Sequence, residues 1–250
     1  MTARRRRRTT DCPRPPSAWG TLYGLGLGPG DPELVTLKAH RILRSVPTIL
    51  VPVRRAGDRG YTWAIAQPHL AEADGQRVLR LPFPVESDEA APDGRWAHNC
   101  RKILDTLADG QDAAFLTEGD PCLYSTFIHV ASWLRTAAPQ LPIQIVPGIS
   151  SITAAAAAAG QPLVVGAGRL AVLPAVYAAD ELRQTLRDFD TVVLLKVNRV
   201  LDRLLPLLDE LGLAERAMLV ERCGQPDQRI VRGLRQPLRS DYFSLVIVRK

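Results

Sequence analysis

Three short stretches of this 250-residue chain combine glycine with polar side chains in a way that could hold a ligand against the backbone. The first, 23-YGLGLGPGD-31, carries Gly24, Gly26, Gly28 and Gly30. Pro29 stands where the third glycine of G-x-G-x-x-G would fall, and no GK[ST] follows, so the usual dinucleotide and nucleoside-triphosphate loops are disfavoured. What is left is a turn that either bends tightly for its own sake or lets a ligand approach closely. The second, 117-TEGDPCLYST-126, is richer. Glu118 and Asp120 could accept hydrogen bonds from a ligand's amine or hydroxyls, with Gly119 allowing close approach, and Asp120-Pro121 reads equally as a plain helix-start turn. Tyr124 could touch a substrate or pack on a neighbouring loop. In the third, 146-VPGISS-151, Ser150 and Ser151 could cap the following helix or meet a ligand. Together the three outline a cleft with small walls, suited to a bulky or flat ligand plus a polar cofactor.

The elements around these turns alternate between strand and helix. Strands are expected at 21–28, 48–53, 77–85, 112–117 and 143–148. Helices are expected after residue 29 (with Leu34, Leu37, Ile42 and Val46 on one face), at 60–73, at 95–108, through about Leu134, and over the small-residue run 149–160. Residues 86–94 read as a surface loop. Such alternation argues for a mostly parallel sheet covered by helices, with ligands at the strand ends. From about residue 149 the pattern changes. Strands at 169–176 and 191–197, helices at 179–188 and 199–211, and two late strands at 217–223 and 243–249 suggest a second α/β domain with a mixed sheet. The expected division is an Arg-rich disordered arm at 1–18, an N-terminal α/β domain at 19–148 and a C-terminal one at 149–250.

Composition excludes several function classes. With 46% apolar residues the chain can build real cores. No apolar stretch approaches a membrane span, and the basic start has no apolar segment behind it, so the cytoplasm is the default compartment. The net charge of +6 sits mostly in the first 18 residues, where six arginines face only Asp11. No specific nucleic-acid role is expected from the remainder. Four dispersed cysteines and four dispersed histidines form no CxxC or HExxH pattern, and no protein metal site is expected.

The three turns, in this order, resemble the signatures of the tetrapyrrole (corrin/porphyrin) methylase family: 23-YGLGLGPGDPELVTLKAHRIL-43, 115-FLTEGDPCLYSTF-127 and 146-VPGISSITAAAAAAG-160. The resemblance runs from about Leu22 to Val248. Within the family, 192-VVLLKVNR-199, 242-YFSLVIV-248 and the Glu-Gly-Asp form of the second turn are similar to members that methylate C20 of precorrin-2. Uroporphyrinogen-III methylases normally have Gly-Gly-Asp there and methionine near the position of Lys196. Cys122 stands where serine is common.

The resemblance implies two α/β domains with the active-site cleft between them, in a homodimer, and S-adenosyl-L-methionine as methyl donor. Pro29, Glu118, Gly119, Asp120, Leu123, Ser150 and Ser151 would border the donor from the first domain, and Lys196, Cys223 and Gly224 from the second. The substrate would be a reduced tetrapyrrole with eight carboxylates. Its electron-rich meso carbon can attack the methyl directly, so alignment matters more than any protein nucleophile. A proton must then leave, with Tyr124, Asp120 or water as acceptor. Arg54 and Arg55, after the second strand, are the candidates for the carboxylates, with Arg169 and Arg199 weaker.

Overall fold

The computed structural model describes residues 18–70, 75–83, 94–174, 179–235 and 238–250. The Arg-rich arm lies outside them except for Ala18, as does nearly all of the loop expected at 86–94. Five strands, β1 (Leu22–Gly26), β2 (Thr48–Val53), β3 (Arg77–Pro82), β4 (Ala113–Thr117) and β5 (Ile143–Val146), form an all-parallel sheet of order β3-β2-β4-β1-β5. Their alternating side chains feed two separate cores. Leu22, Leu50 and Phe115 pack under α3 (Arg95–Leu107) and α4 (Thr126–Ala137). Leu25, Ile49, Val51 and Leu116 pack under α1 (Leu37–Ser45) and α2 (Tyr61–Ala66). Burial on both faces is why these strands read as continuous apolar runs.

The second sheet holds β6 (Leu170–Pro174), β7 (Thr191–Leu195), β8 (Ala217–Glu221), β9 (Arg229–Arg232) and β10 (Ser244–Arg249), in the order β6-β7-β10-β8-β9. Only β6 and β7 run parallel; the other pairs are antiparallel, giving the expected mixed sheet. One face packs on α6 (Ala179–Asp188) and α7 (Leu201–Glu210), through Leu186, Leu201, Leu204 and Leu208. The other packs on α5 (Ser151–Ala158), where Ile152 and Ala155 meet Val193, Met218 and Val220. The alanine run thus lets the connecting helix lie close on the second sheet.

Two readings need correction. The first helix does not bury Leu34 and Leu37. Asp31 caps a separate short turn at Pro32–Leu34, Thr36 then caps α1, and this restart turns Leu37 outward, 88% exposed, while Ala39, Ile42 and Leu43 face the core. Strand β9 was not expected, because its four residues are a half-exposed edge with no apolar face of their own.

Candidate functional site

Strand order decides the site. β1 lies between β4 and β5, so the loops leaving their C-terminal ends, which are the three glycine turns, stand side by side. They touch through backbone. Gly28 and Gly119 form an isolated antiparallel bridge, with Gly119 N donating to Gly28 O at 2.7 Å. A Cβ on Gly26 would lie 2.5 Å from Gly148 N, and one on Gly148 would lie 2.2 Å from Gly119 O. These glycines let the loops approach one another. Asp120 completes the joint, with Oδ1 accepting from Cys122 N (2.8 Å) and Oδ2 from Gly148 N (3.0 Å). Ser150 caps α5 by accepting from Ile152 N (3.2 Å), and Ser125 caps α4 by accepting from Phe127 N (3.0 Å).

The second sheet turns its own loop edge toward these turns. β10 runs antiparallel between β7 and β8, so its start lies beside their ends: Lys196 N donates to Ser244 O (2.9 Å) and Arg222 N to Phe243 O (2.8 Å). Between the two edges lies a cleft of about 1520 Å³. Pro29, Glu118, Gly119, Asp120, Leu123, Tyr124, Ser150, Ser151, Lys196, Cys223 and Arg54 all line it. Gly224 does not; it backs onto the first loop, where a Cβ would lie 2.8 Å from Asp31 N. Arg55 also lies off the cleft, in a turn where its amide donates to Asp58 Oδ2. Arg169 is held at Asp188 and Asp190, and neither it nor Arg199 reaches the lining.

Residues that sequence reasoning passed over hold the two edges together. The Tyr61 hydroxyl donates to Pro29 O (2.7 Å) and accepts from Gln225 Nε2 (2.5 Å), and its ring stacks on Phe243 at 4.1 Å. Burial, with Glu118 nearby, holds the Tyr61 phenol well above its usual range, so it stays a neutral donor. Arg54 lies over the Tyr242 ring, 3.9 Å from its centroid, which leaves the edge of the guanidinium for another partner. Farther along the cleft, Phe83, Trp96, His129 and Trp133 make an aromatic wall. The aromatic pair Tyr242–Phe243 directly before the last strand was the one sequence signal available. Burial pushes the Cys223 thiol upward and Cys100 to about 12, so neither is a ready nucleophile. Among the described residues, no three His, Cys, Asp or Glu gather as a metal-ligand set, and no helix is long and apolar enough to cross a membrane.

Three non-glycine residues have positive φ among those described, Tyr124 (50°), Lys196 (59°) and Arg222 (49°). All stand at this cleft or one residue from its lining, and such strain collects at functional sites. The Tyr124 hydroxyl reaches across to Val172 O (3.3 Å). Lys196→Gly should therefore keep or gain stability, by up to about 1 kcal/mol, since glycine takes the left-handed backbone without steric cost. If Lys196 borders the donor, as the resemblance implies, the change should at the same time weaken donor binding. Thermal melts and calorimetry with S-adenosylhomocysteine check both; a clear loss of stability would show that Lys196 serves the fold instead.

Comparison with known proteins gives the arrangement its family. The model of the tetrapyrrole (corrin/porphyrin) methylases matches residues 21–238. The chain belongs to the tetrapyrrole methylase family. A precorrin-2 C(20)-methyltransferase of Sinorhizobium sp is 33% identical over 92% of this family member and 95% of that protein. A cobalt-precorrin-2 C(20)-methyltransferase of Salmonella typhimurium is 33% identical over 92% and 97%. The cobalamin biosynthesis protein CobIJ of Mycobacterium tuberculosis is 35% identical over 93% of this chain, which spans 46%, about half, of that protein's length. The fold is that of the X-ray structure of the cobalt precorrin-4 methyltransferase CbiF, with a TM-score of 0.68, 22% identity, and coverage of 91% of this chain and 94% of that one.

Proposed function

We propose that this methylase transfers a methyl group from S-adenosylmethionine to C20 of precorrin-2, giving precorrin-3A in cobalamin biosynthesis. The observation that carries the reading is the match, along nearly the whole of both lengths, to two methyltransferases named for C20. A homodimer in the cytoplasm, with no metal bound by the protein itself, belongs to the same reading.

The cleft's chemistry fits the donor. An amphipathic cation needs a carboxylate, hydroxyls and apolar contact, and Glu118, Ser150, Ser151, Pro29 and Leu123 bring these to one cleft. When bound, S-adenosylmethionine supplies an electrophilic methyl on a sulfonium. The chain's part is placement. The three interlocked turns fix one wall, Tyr61 ties that wall to Gln225 and Phe243 opposite, and the tetrapyrrole enters between them. Arg54, pre-oriented on Tyr242, pairs with a substrate carboxylate. The aromatic wall at Trp96 and Trp133 suits a flat macrocycle.

The test is anaerobic incubation with labelled donor and, separately, precorrin-2, cobalt-factor II and uroporphyrinogen III, with NMR to place the new methyl. Methyl at C20 of precorrin-2 is the expected result. Relatives named for the metal-free and the cobalt substrate are equally similar, so preference for cobalt-factor II is the one specific alternative. Methylation of uroporphyrinogen III alone would refute the C20 assignment.

A further inference from the structure

Methylation of a meso carbon leaves a cationic macrocycle that must lose a proton, and two obvious candidates in the cleft are committed to other partners. Both oxygens of Asp120 accept from backbone amides, and the Tyr124 hydroxyl donates across the cleft to Val172 O. Glu118 is different. Its side chain lines the cleft next to the Gly28–Gly119 bridge, and no hydrogen-bond donor among the described residues reaches its carboxylate. Its charged surroundings come from separate elements: Lys196 at the end of β7, Arg54 at the end of β2 and Tyr61 on α2, with Asp120 two residues on. A carboxylate that no donor among the described residues engages, sharing the lining of the cleft with two cations, has the makings of a general base.

Resting on the methyl-transfer reading above, we propose that Glu118 is the catalytic residue that receives the proton from the methylated meso carbon. The carbon's electron pair forms the new C–C bond, and the pair of the broken S–CH₃ bond stays with sulfur. The macrocycle then carries the positive charge. The C–H pair returns to the ring system, restoring conjugation, and the proton passes to a Glu118 oxygen. Lys196 and Arg54 keep the carboxylate ionised until then. The affinity of the group suits the task, because burial pushes it up to about 7 against the opposing pull of Lys196, then Arg54. Glu118 is exposed to the water of the cleft, so burial acts on it in full only when ligands displace that water.

The test compares the wild type with E118Q and E118D. In the wild type, kcat should rise with pH through about 7, as the carboxylate ionises. In E118Q, kcat should fall about 100-fold and the inflection should vanish, with E118D restoring part of both. Affinity for S-adenosylhomocysteine, by calorimetry, should fall by a much smaller factor than kcat, because Ser150, Ser151, Pro29 and Leu123 still border the donor; a loss of affinity as large as the loss of kcat assigns Glu118 to donor binding alone and overturns the proposal. Independently of turnover, carbon-13 NMR of δ-labelled glutamate should show one carboxyl, absent in E118Q, titrating near pH 7 with S-adenosylhomocysteine bound. A loss of kcat under about tenfold, an inflection that survives in E118Q, or a midpoint in the ordinary carboxylate range overturns the proposal. Absence of turnover by the wild type on every tetrapyrrole is a separate result: it removes the methyl-transfer reading, and this one with it.

Discussion

Gly148→Ala is expected to cost upwards of about 3 kcal/mol, the severe end of overpacking. The new Cβ would lie 2.2 Å from Gly119 O and 2.7 Å from Gly26 C and Cα, all backbone atoms that cannot rotate away. Relief requires the three turns to spread, which would also pull Gly148 N from Asp120 and open that wall of the cleft. For a chain of this size the melting temperature should drop by roughly 6–12 °C. Binding of S-adenosylhomocysteine should weaken in parallel. The backbone φ of Gly148 is not in the left-handed region, so the cost is one of space and not of conformation. A melt within about 2 °C of wild type, with donor affinity kept, would mean the turns are not packed backbone to backbone.

Asp120→Ala is expected to cost about 2–3 kcal/mol and most of the donor affinity. It deletes the acceptor for two amides in different turns, Cys122 N and Gly148 N, and hydrogen bonds to a charged group are worth about 1.5–3 kcal/mol each when buried, less where water can reach. Asp120→Asn separates the two bonds. An amide side chain has one oxygen to accept with, and its NH₂ opposes the second backbone N–H. Asparagine should therefore recover about half of the lost stability and hold only one turn in place. Denaturant unfolding of the three proteins gives the ordering aspartate, asparagine, alanine. If asparagine equals aspartate, the carboxylate does not bridge the turns, and Asp120 becomes available again as a proton acceptor.

The same two residues show how far the sequence could be read. Glycine at 26, 119 and 148 was visible as a mark of close approach, but what approaches what was not. The sequence allowed a ligand or a tight turn; the structure shows loop against loop, because β1 sits between β4 and β5, and strand order is a long-range choice that local spacing does not encode. Asp120 read as a helix-start residue or a ligand contact. Its bond to Cys122 N is the local kind foreseen, and its bond to Gly148 N, 28 residues away, is not. Ser150 is simpler, since an N-cap is a local device that its neighbours suffice to define.

By itself the sequence determined the parallel first sheet, since fully buried strands must be apolar throughout and leave that mark, as in 48-TILVPV-53, whose span matches β2. It determined the mixed second sheet and the family through its three turns, and most of the site residues it singled out do line the cleft. Only the tertiary structure decided that Tyr61, Tyr242 and Phe243 join the two edges, that Arg54 faces the cleft while Arg55 turns away, and that Glu118 has no hydrogen-bond donor among the described residues where both oxygens of Asp120 are engaged. The physical reason is common to all of these. Apolar periodicity and capping act over a few residues, whereas the partners of a cleft residue come from strands whose neighbours are chosen by packing across the whole chain.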